Sequence, residues 1–309
     1  MVNVYESVEA NKRKSWLVIA GFILFVTVSV YFISQGFAAY FGYEPGGLSI
    51  AGLALIFSGI TSFISYYYSD RIILTLSGAR PADRKTDFHF YTVLENLSLG
   101  AGLPMPRAYI IEDTALNAFA TGRDPDHAVV VATSGLLQSL SRVELEGVLG
   151  HELSHIKNYD IRLMSIVTIL LGLITLMADW FLRSSFRMSG GSRSRDKEGA
   201  GAVMVILGLI FAMLSPIIAQ LIQLAISRRR EYAADAGSVM LTRQPSGLIS
   251  ALAKLGADRE PLEAANKATA HLYITNPLKN HHDAVGWFSS LFNTHPSVKD
   301  RIQALQSMV

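Results

Sequence analysis

The sequence predicts a mostly α-helical integral membrane protein with about four transmembrane helices and one small α+β domain. Three observations carry this. Four long runs, at residues 16–37, 48–68, 163–182 and 200–226, hold almost no charge. Charged residues make up only 17% of the 309-residue chain, against about 25% in average soluble proteins. Between the second and third runs, residues 70–162 alternate short β-prone segments with helical patterns, too few strands for a doubly wound sheet. The chain therefore divides into a membrane hairpin (1–69), a first domain half (70–162), a second membrane pair (163–227) and a second domain half (228–309).

A polar head ending in Lys12, Arg13 and Lys14 precedes the first run. The run exceeds the ~7–15 apolar residues of a signal peptide and reads as an uncleaved membrane helix. Glu44, Pro45, Gly46 and Gly47 make a turn into the second run. Each run can cross ~30 Å of hydrocarbon at ~1.5 Å per residue. The turn carries no Lys or Arg, while the head carries three and Arg71, Arg80, Arg84 and Lys85 follow the second run. The positive-inside rule then puts the head and the domain in the cytoplasm.

In the domain, residues 72–76, 107–111, 115–120 and 128–132 read as strands, and 88–99 as a helix closed by Gly100, Gly102 and Pro104. A short helix near Leu136 leads to a longer one, opened by a capping box of Ser141 and Glu144. That helix carries His151, Glu152 and His155. A four-residue step brings both imidazoles to one face, one turn apart. Two neutral imidazoles so placed can bind one Zn²⁺, and Glu152 stands where a base for an activated water is needed. A short polar spacer that includes Asn158, Asp160 and Arg162 separates His155 from the third run. The metal site would thus lie close to the membrane surface, on a helix that can run on into it.

The loop at 183–198, rich in Gly, Ser and Arg, lies outside if runs three and four cross, against the charge rule. A ligand after run four must share the side of His151, so zero or two crossings are allowed, and two are preferred. Pro216 would kink the fourth run, and Gln220 and Gln223 would face other helices. Arg228, Arg229 and Arg230 anchor its end, and Glu231 follows with Asp235 one turn later on the same face. A two-histidine zinc site needs a third protein ligand and an open position, and Glu231 is the candidate.

The ordered set of His151-Glu152-x-x-His155, a membrane pair, then Glu231-x-x-x-Asp235 resembles the HtpX family of membrane zinc metallopeptidases, relatives of the CAAX prenyl proteases. The likeness includes the two N-terminal membrane helices, residues 117–122 before the motif, and His295, Pro296, Ser297 and Arg301 near the end. Ser297 stands where a second proline is often found. The resemblance implies a zincin-type catalytic domain in which His151, His155 and Glu231 bind one Zn²⁺ and Glu152 takes a proton from the attacking water. It implies that Asp235 hydrogen-bonds a ligand imidazole, His151 first, and that His295 and Arg301 donate to the developing oxyanion. Asn117, Ala118, Phe119 and Ala120 would form an edge strand that binds substrate backbone as an added strand. A stretch around His271 would be a mobile cover near the cleft.

There is no cysteine, which excludes disulfides, thiolate zinc ligands and thiol nucleophiles. A net charge of +2 argues against nucleic acid as a partner. The expected partners are protein substrates, membrane or misfolded ones by resemblance, and the lipid bilayer. The expectation is a zinc endopeptidase of the cytoplasmic membrane with its site facing the cytosol. The alternatives are a CAAX-type processing peptidase, or a non-catalytic adaptor or transporter with polar groups at mid-membrane.

Overall fold

A computed structural model of the chain describes residues 4–41, 47–170, 172, 228–265, 269–275, 277 and 296–308. Most of the expected second membrane pair, the loop at 183–198 and His295 lie outside these residues. So do residues 44–46 of the expected turn.

Two long helices open the chain, α1 (Val4–Phe41) and α2 (Gly47–Leu76), packed against each other. Trp16 of α1 stacks on Tyr66 of α2, ring centroids 5.8 Å apart. Ala51–Leu76 is the stretch, among the described residues, long and apolar enough to cross a membrane. Leu53, Ile56, Phe57, Ile60 and Phe63 point outward from it, an apolar exterior that suits lipid rather than water. The strand expected at 72–76 is instead the last turn of α2. Ile73 and Leu74 are buried there against the sheet as a helix end, so tertiary contact overrides their β propensity. Gly78, at φ 60°, turns the chain out of the helix.

A four-stranded sheet follows, in the order β1 (Arg80–Pro81), β2 (Arg107–Ile111), β4 (Val129–Thr133), β3 (Ala118–Thr121). β2 and β4 are parallel, and the other neighbours are antiparallel. β4 is central and wholly buried, which its unbroken Val-Val-Val-Ala run requires. One face of the sheet, with Ile110, Ala118, Ala120 and Val130, packs on α3 (Phe88–Ala101) and α5 (Arg142–Lys157). The other, with Ile111, Phe119 and Val131, receives the end of α2, Met164, Leu272 and Tyr273. Both faces are covered, one of them in part by the end of the long helix α2.

α3 ends as expected, on Gly102 in the left-handed region. α4 (Ser134–Ser139) is the short helix near Leu136, and α5 opens on the Ser141–Glu144 capping box. α5 does not run on unbroken. Asn158 and Tyr159 form a turn, Tyr159 at φ 58°, and helix resumes over 160–170. α6 (Arg228–Thr242) and α7 (Pro245–Ala257) pack on α5, and α8 (Val298–Gln306) packs on α6 and α7. The architecture is mostly helical with one small mixed sheet.

Candidate metal centre

The site forms where α5 crosses α6. The crossing is close because small residues line it. A Cβ on Gly150 would come within 2.8 Å of Ser238 Oγ, and one on Gly237 within 2.4 Å of Ser154 Oγ. Ser238 Oγ donates to the Gly147 carbonyl at 2.6 Å, tying the two backbones together. This approach brings Glu231, 80 residues after His151 in sequence (231 less 151), to the paired histidines.

His151 and His155 present their Nε2 atoms to each other at 3.2 Å, with ring planes at 89°. Glu231 Oε2 lies 3.8 Å from His151 Nε2, and Oε1 lies 3.6 Å from His155 Nε2. Ligands about 2.0–2.1 Å from a tetrahedral Zn²⁺ are ~3.3 Å apart, so the triangle has the right size. Among the described residues, these three form the group able to hold a metal ion.

The other ring nitrogen of each histidine faces a carboxylate. His151 Nδ1 lies 2.9 Å from Asp235 Oδ1, the expected pairing. His155 Nδ1 lies 3.0 Å from Asp160 Oδ2, a partner that no helical spacing in the sequence points to. Each carboxylate accepts an Nδ1–H, leaving a lone pair on Nε2 where the metal would sit. Asp160 is placed by the turn at Asn158–Tyr159, which folds the next helix start back under His155. A carboxylate five residues after the second histidine was the available signal, and it was visible only as a polar spacer.

Burial and charge set the protonation of the metal-free cluster. Burial, helped by the Arg301 charge, pushes His151 down to about 4 despite Asp235. Burial also disfavours charged His155, but Asp160 and Glu231 outweigh it and raise the imidazole to about 9. Glu152 is raised to about 7, chiefly by burial and against the pull of His155.

Arg301 is fully buried and sits on the Asp235 side of His151. Its Nε and Nη2 donate to the two Asp235 oxygens at 2.9 and 2.6 Å, and Nη1 donates to the Ile274 carbonyl at 3.2 Å. Nη1 is also 3.8 Å from Glu231 Oε2. The guanidinium thus lies on the Nδ1 side of His151, with Nη2 3.3 Å from that nitrogen and Nη1 toward the Glu231 carboxylate. His295, its expected companion, lies outside the described residues.

Asn117, Ala118, Phe119 and Ala120 lie on and beside β3, at the edge of the sheet. Asn117 O accepts from Thr133 N–H of the β4 side, so Ala118 and Ala120 turn their backbone groups outward. That outer edge already has neighbours. Ile274 N–H donates to Ala118 O at 3.0 Å, and Asn117 Nδ2 donates to Thr275 O at 3.1 Å. Ala120 contributes a backbone hydrogen bond to Glu152. The segment around His271, expected as a cover, lies along this edge.

Residues 85–309 match the model of peptidase family M48. Among curated proteins, the chain is 42% identical over 304 residues to a protease HtpX homologue of Dictyoglomus thermophilum, covering 98% of this chain and 94% of that one. It is 44% identical to that of Dictyoglomus turgidum over the same shares of both chains. Identity is 43% to that of Thermoanaerobacter pseudethanolicus, over 99% of this chain and 98% of the relative. A solved structure, that of S. mikatae Ste24p, aligns with a TM-score of 0.48 and 19% identity over 99% of this chain and 66% of its own. With a paired-histidine and glutamate cluster inside the matched region, and relatives alike from end to end, the chain belongs to peptidase family M48, the membrane metalloproteases of the HtpX type.

Proposed function

We propose that the chain is a zinc endopeptidase of the cytoplasmic membrane that hydrolyses peptide bonds of membrane or misfolded proteins on the cytoplasmic side. The observation that carries the chemistry is the donor triangle of His151, His155 and Glu231, with a carboxylate behind each imidazole. A zinc ion held there would polarise the scissile carbonyl and bring the pKa of a water to about 7.

The side chains do the rest. Glu152 accepts the proton of the attacking water and returns it to the leaving amine. Asp235 and Asp160 hold the imidazoles in the tautomer that exposes Nε2. Arg301 acts as a positioning residue: it keeps Asp235 ionised against the burial that opposes this. The outer edge of β3, which runs to Glu152, is the strand on which substrate backbone would align. The cytoplasmic placement rests on the basic head and the arginines after the second run. A four-span layout, with 163–182 and 200–226 as the second pair, keeps Glu231 on the side of His151.

The test is a paired assay on parent and Glu152→Gln protein, measuring bound zinc and cleavage of an unfolded membrane protein. Zinc content should be equal, and cleavage should fall by about 10²–10⁴-fold. Equal cleavage by both would remove the assignment of the base. A prenylated CAAX peptide in the same assay separates the processing alternative: preferred cleavage there would replace the reading of membrane or misfolded proteins as substrates.

A further inference from the structure

Asn11 lies in the basic head at the start of α1, far in sequence from the metal cluster, yet its side chain is 3% exposed. Its Nδ2 donates to Asp160 Oδ1 at 2.7 Å and to the Asn158 carbonyl at 3.0 Å. Its Oδ1 accepts from Arg230 Nη1 at 3.3 Å. Both amide protons and the amide oxygen are therefore engaged.

The partners matter more than their number. Asp160 divides its carboxylate, one oxygen to Asn11 and the other to His155 Nδ1. Held at both oxygens, it cannot swing away from the imidazole. Arg230 is the residue before Glu231 and lies 3.6 Å from Asp160 Oδ1. One amide thus touches the support of His155 and the neighbour of the third ligand candidate.

We propose that Asn11 is a positioning residue for His155, so that zinc affinity depends on how the N-terminal helix seats against the metal centre. This rests on the reading of His151, His155 and Glu231 as the metal site. An outer carboxylate on a metal-binding histidine contributes about 10–100-fold to affinity, and Asn11 is what holds this one still. Alanine would leave Asp160 Oδ1 with Arg230 at longer range. Aspartate, of the same shape, would turn a donor into an acceptor facing another carboxylate. Lys12 offers a control. Its Nζ lies 4.3 Å from the centre of the Tyr159 ring, packing the same turn of α1 against the same loop by another contact.

The experiment uses the full chain in detergent micelles, with Glu152→Gln to stop self-digestion, and reads zinc affinity by chelator competition. Asn11→Ala and Asn11→Asp should each weaken zinc about tenfold, and Lys12→Ala should stay within about twofold of the parent. Asp160→Asn should weaken it as well, and Asn11→Ala added to Asp160→Asn should cost little more, since both act through one contact. The cobalt-loaded protein should show altered d–d absorption in Asn11→Ala and not in Lys12→Ala. Unchanged zinc affinity in both folded Asn11 variants overturns the proposal. So does full additivity with Asp160→Asn, or loss of fold in both variants, which would assign Asn11 to stability alone. A parent chain that takes up no zinc sinks the metal reading itself.

Discussion

Ile274 donates its backbone N–H to the carbonyl of Ala118 at 3.0 Å, so the outer edge of β3 is met by a segment of the same chain. Tyr273 secures that segment from the other side, packing edge-on against Phe119 with centroids 4.9 Å apart. An edge strand presents unpaired backbone groups to any extended peptide, and here one of them is already used.

A substrate strand that adds to β3 must therefore release this contact or extend it toward Glu152. Hydrogen exchange on Glu152→Gln protein should show residues 272–275 losing protection when an uncleaved substrate is added. Unaltered protection at saturating substrate would mean that the peptide does not displace this segment from Ala118, and either lies beyond it toward Glu152 or binds elsewhere.

Arg301 and Asp235 form a buried ion pair, both 1% exposed. Removing one partner leaves a buried charge, which costs about 3–5 kcal/mol. Arg301→Met should lower stability by that order, read as a fall in the thermal midpoint in micelles. Adding Asp235→Asn should restore part of the loss. If the double variant is less stable than Arg301→Met, burial of the lone carboxylate is not the cause.

Zinc uptake should depend on pH through His155. Metal binding requires a neutral imidazole, and His155 in the metal-free cluster is raised to about 9. Below that pH its proton must leave, so apparent affinity should rise with pH, by up to about tenfold per unit, and level off above about 9. His151, near 4, adds nothing to this slope at neutral pH. Calorimetry in buffers of different ionisation enthalpy should find close to one proton released from His155 at pH 8. A release of none would contradict the paired Asp160–His155 arrangement.

Gly147 sets the distance between α5 and α7. A Cβ there would meet the Leu248 backbone nitrogen at 2.6 Å and its Cα at 2.8 Å. Backbone cannot rotate aside, so Gly147→Ala should cost about 1–3 kcal/mol as overpacking does. Gly100→Ala is the comparison, because its Cβ would meet only the Leu241 side chain at 3.4 Å. Denaturation should separate the two; equal stability would show that α7 yields easily.

The pH dependence of stability has one legible contributor. Glu144 is held at about 2: burial opposes its charge, but Lys254, Ser250 and the Ser141 backbone outweigh that. A depressed carboxylate stabilises above its unfolded pKa of about 4.3 and loses that contribution as pH falls toward 2. Glu144→Gln should flatten the acid side of the stability profile between those limits. An unchanged profile would show that the ion pair with half-exposed Lys254 contributes nothing, as exposed pairs often do.

Residues close together in sequence carried their own geometry. The His151–His155 step, the Ser141–Glu144 box and the Gly102 stop depend on helix period and capping alone, and each stands where the sequence put it. Glu231 and Asp235 were legible for the same reason, as a carboxylate pair on one helical face. The strand expected at 72–76 failed because Ile and Leu there answer to the sheet they pack on, not to their neighbours in the chain. Asp160, Asn11 and Ile274 were hidden for a related reason. Their partners lie across a turn at positive φ, a helix crossing and a strand edge, and a hydrogen bond between distant residues leaves no period in the sequence. Which chemistry the chain can perform was thus written locally, in residue types at helical spacing. What holds each ligand in place was decided only by packing, because long-range contacts are made by whole elements and not by the residues that happen to meet.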